Sequence, residues 1–339
     1  MILIRADANE IIGTGHVMRC LSIARALADQ GEDILFATAD HSGDELIQNN
    51  GYKTICLDSP WNEMDKEIST ILEVIKMQKI KLMIVDSYYV TRQYFQTLSS
   101  STRLAYIDDM NKTAYAIDYL INYNIYAAHY NYSCYEGTET KLLLHPSFAP
   151  LREEFRRMSA HPIRTHVHDV LVSAGGADPE HISEKILSCI CPELGNIKFH
   201  VLVGLLNPRI REIRTLAEKS KNVILHVNEQ HMSELMTICD IAIAAAGTTL
   251  YELCATGLPT ITYTLADNQI VATEQFEAQG IMLSAGDCRC DESFIDRVKV
   301  YLKEMCNDIE LRRELSSKMQ TLVDGNGAER IAKELLSKL

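Results

Sequence analysis

Short apolar runs alternate with longer amphipathic stretches along the whole chain, and this alternation is typical of parallel α/β domains. In the first half, the apolar runs predict strands at Met1–Arg5, Ile34–Ala39, Lys53–Leu57, Leu82–Asp86, Leu104–Asp108 and Tyr119–Asn122. In the second half, they predict strands at Asp169–Ser173, Phe199–Val203, Val223–His226, Ile241–Ala245 and Thr260–Tyr263. The intervening stretches, such as His16–Gln30 before Gly31, carry apolar residues at helical spacing. The pattern therefore predicts two series of βα units.

The alternation fails between Pro146 and His168, where prolines and arginines cluster. We interpret residues 151–167 as a linker between an N-terminal domain, 1–150, and a C-terminal domain, 168–339. A chain of 339 residues accommodates two domains of ordinary size. Each domain is expected to contain a doubly wound parallel sheet, whose ligands bind beyond the carboxyl ends of the strands. The ligand site is therefore expected in a cleft between the two domains.

Composition restricts the possible partners and cofactors. The formal net charge of −13 argues against nucleic acid, because phosphate backbones require clustered Lys and Arg. The first residues, MILIRADANE, lack the features of a signal peptide, and no apolar stretch reaches membrane-spanning length, so we expect a cytoplasmic protein without membrane insertion. The cysteines are scattered, and the C-x-C pairs at 189/191 and 288/290 lack the further ligands of a zinc site. We expect no metal and no cofactor.

The first motif that could carry chemistry is RADANEIIGTGHVMRC, residues 5–20, where a strand leads through Gly13 and Gly15 into a helix opened by His16. Glycines let the backbone approach a ligand closely, and the amides of a helix N-terminus favour an anion. Met18 occupies the third glycine position of the dinucleotide fingerprint, so that motif is incomplete. The helix dipole disfavours a cationic imidazole, which suits His16 to act as a general base. The alternative is a histidine that only caps or packs.

A second motif, LVSAGGADPEH, follows the first predicted strand of the C-terminal domain. The turn at Gly175 and Gly176 is able to hold a phosphate or a nucleoside against backbone amides. Asp178 and Pro179 predict a helix start, with proline at the first helical position. The alternative interpretation is a tight βα connection without a ligand.

The third motif is IAIAAAGTTLYELCATGLPTITY, in which a strand leads directly into a helix. The amides and hydroxyls of Gly247, Thr248 and Thr249 meet at the helix start and form a predicted diphosphate cradle. Glu252 lies one turn further, where it is able to accept hydrogen bonds from both ribose hydroxyls. A solvated helix glutamate is the alternative, although the surrounding LYELCA is otherwise apolar.

Together, these motifs resemble known nucleotide-sugar enzymes. The third resembles the donor site of MurG-like GT-B glycosyltransferases, and with RADANEIIGTGHVMRC the whole chain resembles the UDP-sugar hydrolases of pseudaminic acid biosynthesis (PseG) and the spore-coat SpsG proteins. His16 falls on the catalytic histidine of that family. The family's other motif positions fall on Arg5, Asp7, Gly13, Gly15, Arg19, Gly175, Gly176, Asp178, Gly247, Glu252, Asn268 and Gln269.

The resemblance implies an α/β, GT-B-like fold, with two Rossmann-like doubly wound domains facing a central cleft. It implies hydrolysis of UDP-2,4-diacetamido-2,4,6-trideoxy-β-L-altropyranose to UDP and free sugar, with His16 activating water. Asp86 and Tyr88, in the strand end VDSYY, are expected to assist catalysis, whereas Asp108 and Asp109, in YIDDMN, are as well suited to capping. The alternatives are a glycosyltransferase that uses a UDP-sugar donor and a non-enzymatic binding protein. The oligomeric state stays open.

Overall fold

The computed structural model describes residues 1–204, 207–337 and 339, and these divide into two units. The N-terminal unit comprises Met1–Glu153 together with Gly325–Leu339, and the C-terminal unit comprises Glu154–Asp324. Within the described residues each unit contains one parallel sheet. The prediction of two doubly wound α/β units is confirmed.

The sheet of the N-terminal unit has the order β3-β2-β1-β4-β5-β6-β7, and all neighbouring strands are parallel. The strands are β1 (Ile2–Ala6), β2 (Ile34–Thr38), β3 (Lys53–Cys56), β4 (Leu82–Asp86), β5 (Arg103–Ile107), β6 (Tyr119–Asn122) and β7 (Lys141–Leu144). The helices between them are α1 (Gly15–Ala28), α2 (Asp44–Asn49), α3 (Ile68–Gln78) and α4 (Arg92–Leu98). The central strands β1 and β4 are buried throughout and mostly apolar, because parallel sheets are covered on both faces.

The sheet of the C-terminal unit has the order β10-β9-β8-β11-β12-β13 and is also parallel. Its strands are β8 (Asp169–Ser173), β9 (Lys198–Val203), β10 (Val223–Val227), β11 (Ile241–Ala245), β12 (Thr260–Thr264) and β13 (Leu283–Asp287). Its helices are α5 (Ile182–Cys189), α6 (Ile210–Glu218), α7 (Met232–Ile238), α8 (Thr249–Thr256), α9 (Ile270–Ala278), α10 (Phe294–Asn307) and α11 (Ile309–Leu322).

The strand orders place the predicted motifs at equivalent points of the two sheets. Strand order reverses direction between β1 and β4 in the first sheet and between β8 and β11 in the second. Such switch points open a crevice beyond the carboxyl ends of the two strands, where ligands of doubly wound sheets bind. The His16 loop follows β1, and the two glycine motifs follow β8 and β11. All three motifs therefore lie at a switch point of their own unit.

The last helix, α12 (Gly327–Leu336), belongs to the N-terminal unit and not to a domain 168–339 as predicted. It packs against α1 and buries an apolar face that includes Ile331 and Leu335. A side chain at Gly327 would place its Cβ 2.1 Å from the carbonyl oxygen of Ala149, so the close approach requires glycine. Amphipathic spacing predicts this helix but does not identify the unit on which its apolar face packs.

Most of the predicted linker, 151–167, is also packed. Phe155 is fully buried, and Nε2 of His161 lies 3.0 Å from the carbonyl oxygen of Cys239. Arg312 donates to the carbonyl oxygen of Arg164 over 2.8 Å. The segment from Glu154 onward therefore belongs to the C-terminal unit, and the predicted boundary was too late in the chain.

Candidate active site

The loop between β1 and α1 is held in a tight turn that brings His16 to the start of the helix. The side chain of Asn9 accepts hydrogen bonds from the backbone amides of Ile11 and Ile12, at 2.9 and 3.0 Å. The amide of Gly13 donates to the carbonyl oxygen of Asn9 over 2.8 Å, and this closure needs the positive φ of 70° that glycine tolerates. Helix α1 then begins at Gly15.

His16 and Asp86 form a buried pair at the switch point of the N-terminal unit. Nδ1 of His16 lies 2.6 Å from Oδ1 of Asp86, the last residue of β4. Burial raises the pKa of the Asp86 carboxyl, but the charges and hydrogen bonds of Arg19 and His16 outweigh burial and hold that pKa below its usual range. An ionised carboxylate only accepts, so the hydrogen-bond network assigns a proton to Nδ1. Nε2 then carries the lone pair of the neutral imidazole.

Arg19 lies one turn further along α1 and links Asp86 to a second carboxylate. Its Nε and one terminal nitrogen donate to the two oxygens of Asp86, both over 2.6 Å. The other terminal nitrogen donates to Oδ2 of Asp109 over 2.8 Å and to the hydroxyl of Tyr123 over 2.9 Å. Burial lowers the pKa of Arg19, but Asp109 and Asp86 outweigh burial and raise it. Arg19, which we predicted to bind substrate, is thus engaged by protein groups.

Tyr88 flanks the imidazole from the loop after β4. Its ring meets that of His16 edge to face, with 4.7 Å between the ring centroids. Its hydroxyl donates to Oδ2 of Asp109 over 3.2 Å. Burial and the charge of Asp109 raise the pKa of the Tyr88 hydroxyl above its ordinary value, so the side chain remains a neutral hydrogen-bond donor. The structure therefore brings His16, Asp86 and Tyr88 together.

The neighbouring carboxylates Asp108 and Asp109 have different surroundings. Oδ1 of Asp108 accepts from the backbone amides of Met110 and Asn111, each over 2.9 Å, and so closes a turn in its own loop. Burial raises the pKa of this carboxyl. Asp109 instead faces the His16 cluster. Among the described elements no helix begins between β5 and β6, so the helix-capping alternative is wrong: Asp108 closes a turn of its own loop, and Asp109 contacts the His16 cluster.

Sequence reasoning missed two members of this cluster, Tyr123 and Asn124, which follow β6. Asn124 donates to Oδ1 of Asp109 over 2.9 Å. Burial raises the pKa of Tyr123 to about 12. The polar sequence NYN, residues 122–124, could have indicated them, because ligand-binding side chains of parallel sheets lie at the carboxyl ends of the strands. The same rule predicts site residues at the ends of β4 and β5.

Arg5 and Asp7 lie in a separate buried network at the end of β1. The guanidinium of Arg5 makes two hydrogen bonds to Glu67, each of 2.8 Å, and lies 2.7 Å from Oδ2 of Asp7. Tyr94 donates to the same Glu67 over 2.8 Å. Arg5 is fully buried, and the other oxygen of Asp7 accepts from the amide of Ala39 over 2.7 Å. Arg5 and Asp7 therefore connect the end of β1 to Glu67 and to the backbone at Ala39.

In the C-terminal unit, the glycine turn after β8 packs closely against the backbone at the end of β9. Gly175 adopts a φ of 76°, and a Cβ at Gly204 would lie 2.5 Å from the carbonyl oxygen of Gly176. Asp178 is buried and accepts from the backbone amides of Ile182 and Ser183 over 2.8 and 2.9 Å, so its carboxylate caps α5. Helix α5 begins at Ile182, three residues after the proline that we predicted to open it.

The turn after β11 leads directly into α8. Gly247, Thr248 and Thr249 surround its N-terminus, and Thr248 is exposed. The amides of Gly247, Leu250 and Tyr251 donate to backbone carbonyl oxygens of the same turn, over 2.8, 3.1 and 3.0 Å. Among the hydrogen bonds that the structure describes, this leaves the amides of Thr248 and Thr249 to an anion. Glu252 is half-buried on the same helix. Donors at the start of α8 suit the diphosphate of a nucleotide, and the carboxylate of Glu252 suits the hydroxyls of its ribose.

Asn268 and Gln269 lie in a short helical turn after β12. Oε1 of Gln269 accepts from the backbone amide of Leu265 over 2.9 Å, so the carboxamide holds the loop. Asn268 is exposed. In the described part of the chain, no group of three or more His, Cys, Asp and Glu side chains is arranged to hold a metal ion. Over the same residues, no helix is long and apolar enough to span a membrane.

Two parallel doubly wound sheets and a polar site at each switch point define the GT-B class. The solved structure of MurG from Acinetobacter baumannii superimposes with a TM-score of 0.69 over 100% of this chain and 99% of that protein, at 12% sequence identity. A family model described as lipid-A-disaccharide synthetase matches residues 189–267, within the C-terminal unit.

Relatives in sequence narrow the class further. The spore coat polysaccharide biosynthesis protein SpsG of Bacillus subtilis is 26% identical over 96% of this chain and 95% of that protein. The UDP-2,4-diacetamido-2,4,6-trideoxy-β-L-altropyranose hydrolase of Campylobacter jejuni is 27% identical over 74% of this chain and 86% of that protein. The predicted resemblance is confirmed: this chain is a relative of the PseG and SpsG proteins.

Proposed function

We propose that the protein hydrolyses a UDP-sugar to UDP and free sugar, with His16 as the general base. The substrate class follows from the relative in Campylobacter jejuni, so UDP-2,4-diacetamido-2,4,6-trideoxy-β-L-altropyranose is the first compound to test. The observation that carries the proposal is the short contact between Nδ1 of His16 and the carboxylate of Asp86. It orients the imidazole and leaves Nε2 as the proton acceptor.

The chemistry that this base supports is attack of water on the anomeric carbon. Nε2 of His16 takes one proton from the water as its oxygen forms a bond to that carbon, and the bond to the diphosphate oxygen breaks. UDP leaves with the electron pair of that bond, and the imidazolium is stabilised by Asp86 until it returns its proton to solvent. Because a diphosphate is a weakly basic leaving group, the step needs no general acid.

The C-terminal unit supplies the nucleotide contacts in this proposal. The amides and hydroxyls of Thr248 and Thr249, next to Gly247, would hold the diphosphate and stabilise the charge that develops as UDP departs. Glu252 would accept hydrogen bonds from the ribose. Gly175 and Gly176 at the neighbouring strand end would approach the nucleoside with their backbone, and Asn268 would contact it from the next loop.

Transfer of the sugar to an acceptor other than water is the second candidate function, because the fold is shared with glycosyltransferases such as MurG. The two candidates differ in one observable. We expect the pure protein to release UDP from the UDP-sugar without any acceptor, and in water enriched in oxygen-18 the label should enter the free sugar. Release that requires an added acceptor sugar or lipid would overturn hydrolysis in favour of transfer.

Replacement of Glu252 by Ala tests the nucleotide site separately. Loss of a carboxylate that accepts from ribose hydroxyls should raise the Kd for UDP about 10- to 100-fold, measured by calorimetry. Turnover at saturating substrate should fall much less. Glu234→Ala removes an exposed glutamate from α7 of the same unit and serves as the matched control. Equal UDP affinity in the Glu252 variant and the control would place the ribose elsewhere.

A further inference from the structure

Asp109 is the point at which the side chains around His16 converge. Oδ2 accepts from Arg19 over 2.8 Å and from the hydroxyl of Tyr88 over 3.2 Å, and Oδ1 accepts from Asn124 over 2.9 Å. These partners come from α1, from the loop after β4 and from the loop after β6. The carboxylate is nearly buried, at 11% exposure. Three separate elements are thus tied to one carboxylate.

Two of those partners contact the catalytic pair directly. Arg19 donates to both oxygens of Asp86, and the ring of Tyr88 packs edge to face on His16. A carboxylate that fixes both Arg19 and Tyr88 therefore restricts the imidazole from two sides. Asp109 itself makes no hydrogen bond to His16 among those that the structure describes, so its effect must pass through these neighbours.

Charge gives Asp109 a second effect. Arg19 is the cation between the carboxylates of Asp86 and Asp109, so the three groups together carry one net negative charge. When His16 accepts a proton, that negative charge stabilises the imidazolium. Without the charge of Asp109, Arg19 would neutralise Asp86 completely, and no net negative charge would face the imidazolium.

We propose that Asp109 is a positioning residue for the base: it holds Arg19 against Asp86 and Tyr88 against His16, and it supplies the net negative charge that the protonated imidazole needs. The proposal rests on the proposed function of His16. Among the described residues, the titratable and charged groups around this cluster include Arg19, Cys20, Asp86, Tyr88, Tyr106, Asp108, Asp109, Tyr123, Tyr126 and Tyr130.

The kinetic test replaces Asp109 by Asn, which keeps the shape and removes the charge. We expect kcat/KM to fall about 10- to 100-fold because the base is less well oriented, with the Kd for UDP unchanged. The acid side of the pH profile of kcat/KM should move to lower pH, because the imidazole is protonated less readily. Asp29→Asn is the matched control: it removes the charge of an exposed carboxylate that pairs with Arg25 at the end of α1, outside the cluster, so the profile should stay in place.

Asp109→Glu separates charge from shape. It retains the negative charge, so the acid limb should return toward its original position even if kcat stays reduced. A loss of kcat in Asp109→Asn without any shift of the limb would reduce Asp109 to a structural role and overturn the proposal. Unchanged kinetics in Asp109→Asn would overturn it as well.

A measurement without substrate distinguishes failure of this inference from failure of the proposed function. The ring nitrogens of His16 are followed by nitrogen-15 NMR across pH, with His16→Gln identifying its signals. We expect the pH midpoint of the ring signals to move lower in Asp109→Asn and to be retained in Asp109→Glu. An unshifted midpoint overturns the positioning role, whereas a shift in a protein that releases no UDP overturns only the assigned reaction.

Discussion

His16→Asn should lower the rate of UDP release from the UDP-sugar by about 10² to 10⁴-fold, the usual contribution of a positioned general base. The asparagine is able to retain a hydrogen bond to Asp86, so the surrounding structure should persist, but it has no basic nitrogen. UDP should bind with the affinity of the unaltered protein, because the nucleotide contacts are assigned to α8. Single-turnover release of UDP and calorimetric titration with UDP measure the two quantities.

The matched control for this variant is His41→Asn. His41 also pairs with a carboxylate, with Nδ1 lying 2.7 Å from Asp44, but it is exposed at the surface. Its replacement should leave both turnover and UDP binding unchanged. If His16→Asn weakens UDP binding as much as it lowers turnover, His16 is a phosphate ligand and not the base.

Glu67→Ala should lower the free energy of unfolding of the N-terminal unit by about 3 to 5 kcal/mol, because it leaves the guanidinium of Arg5 buried without its main partner. Arg5 is fully buried and donates two hydrogen bonds to that one carboxylate. The remaining Asp7 contact compensates only in part. Urea unfolding can be followed through Trp61, the single tryptophan in the sequence, which packs against Tyr89 in the same unit.

Glu32→Ala is the control for burial. Glu32 pairs with Lys81 at 2.7 Å in the same unit, but the lysine is exposed, and such pairs contribute less than about 1 kcal/mol. Equal urea midpoints for Glu67→Ala and Glu32→Ala would mean that Arg5 is stabilised by Asp7 or by solvent that enters the site, and the structural role assigned to Glu67 would be wrong.

Local pattern was sufficient to predict most strands and the motifs at their carboxyl ends. Every predicted strand is present, because buried parallel strands are continuous apolar runs that need no partner to be recognised. β7 and β13 were missed. The first, KLLL, runs directly into HPSFAP, where the alternation of apolar and amphipathic stretches fails. The second, LSAGD, contains a glycine and ends in a charged residue, which weakens the apolar signal.

The partners of the site residues were less predictable than their positions. Arg5 and Arg19 are charged residues within a glycine-rich motif, which favours ligand binding when the sequence is considered alone. Their guanidinium groups are instead engaged by Glu67 and Asp86, which lie 62 and 67 residues away along the chain. Pairings between residues so far apart in the chain depend on the packing of several elements. The contacts of Asp109 with Arg19, Tyr88 and Asn124 were not predicted for the same reason. A residue's spacing predicts the strand end that it occupies, not the side chain that meets it there.

Helix α12 follows the C-terminal unit in the chain but packs in the N-terminal unit, and this order affects how the protein folds during synthesis. The ribosome produces α1, which carries His16 and Arg19, long before it produces the helix that covers α1. The whole C-terminal unit must be translated first, although domains usually fold in the order in which they are made. A nascent N-terminal unit therefore exposes the part of α1 that α12 covers until α12 has been made. Completion of the unit that carries His16 is thereby tied to synthesis of α12.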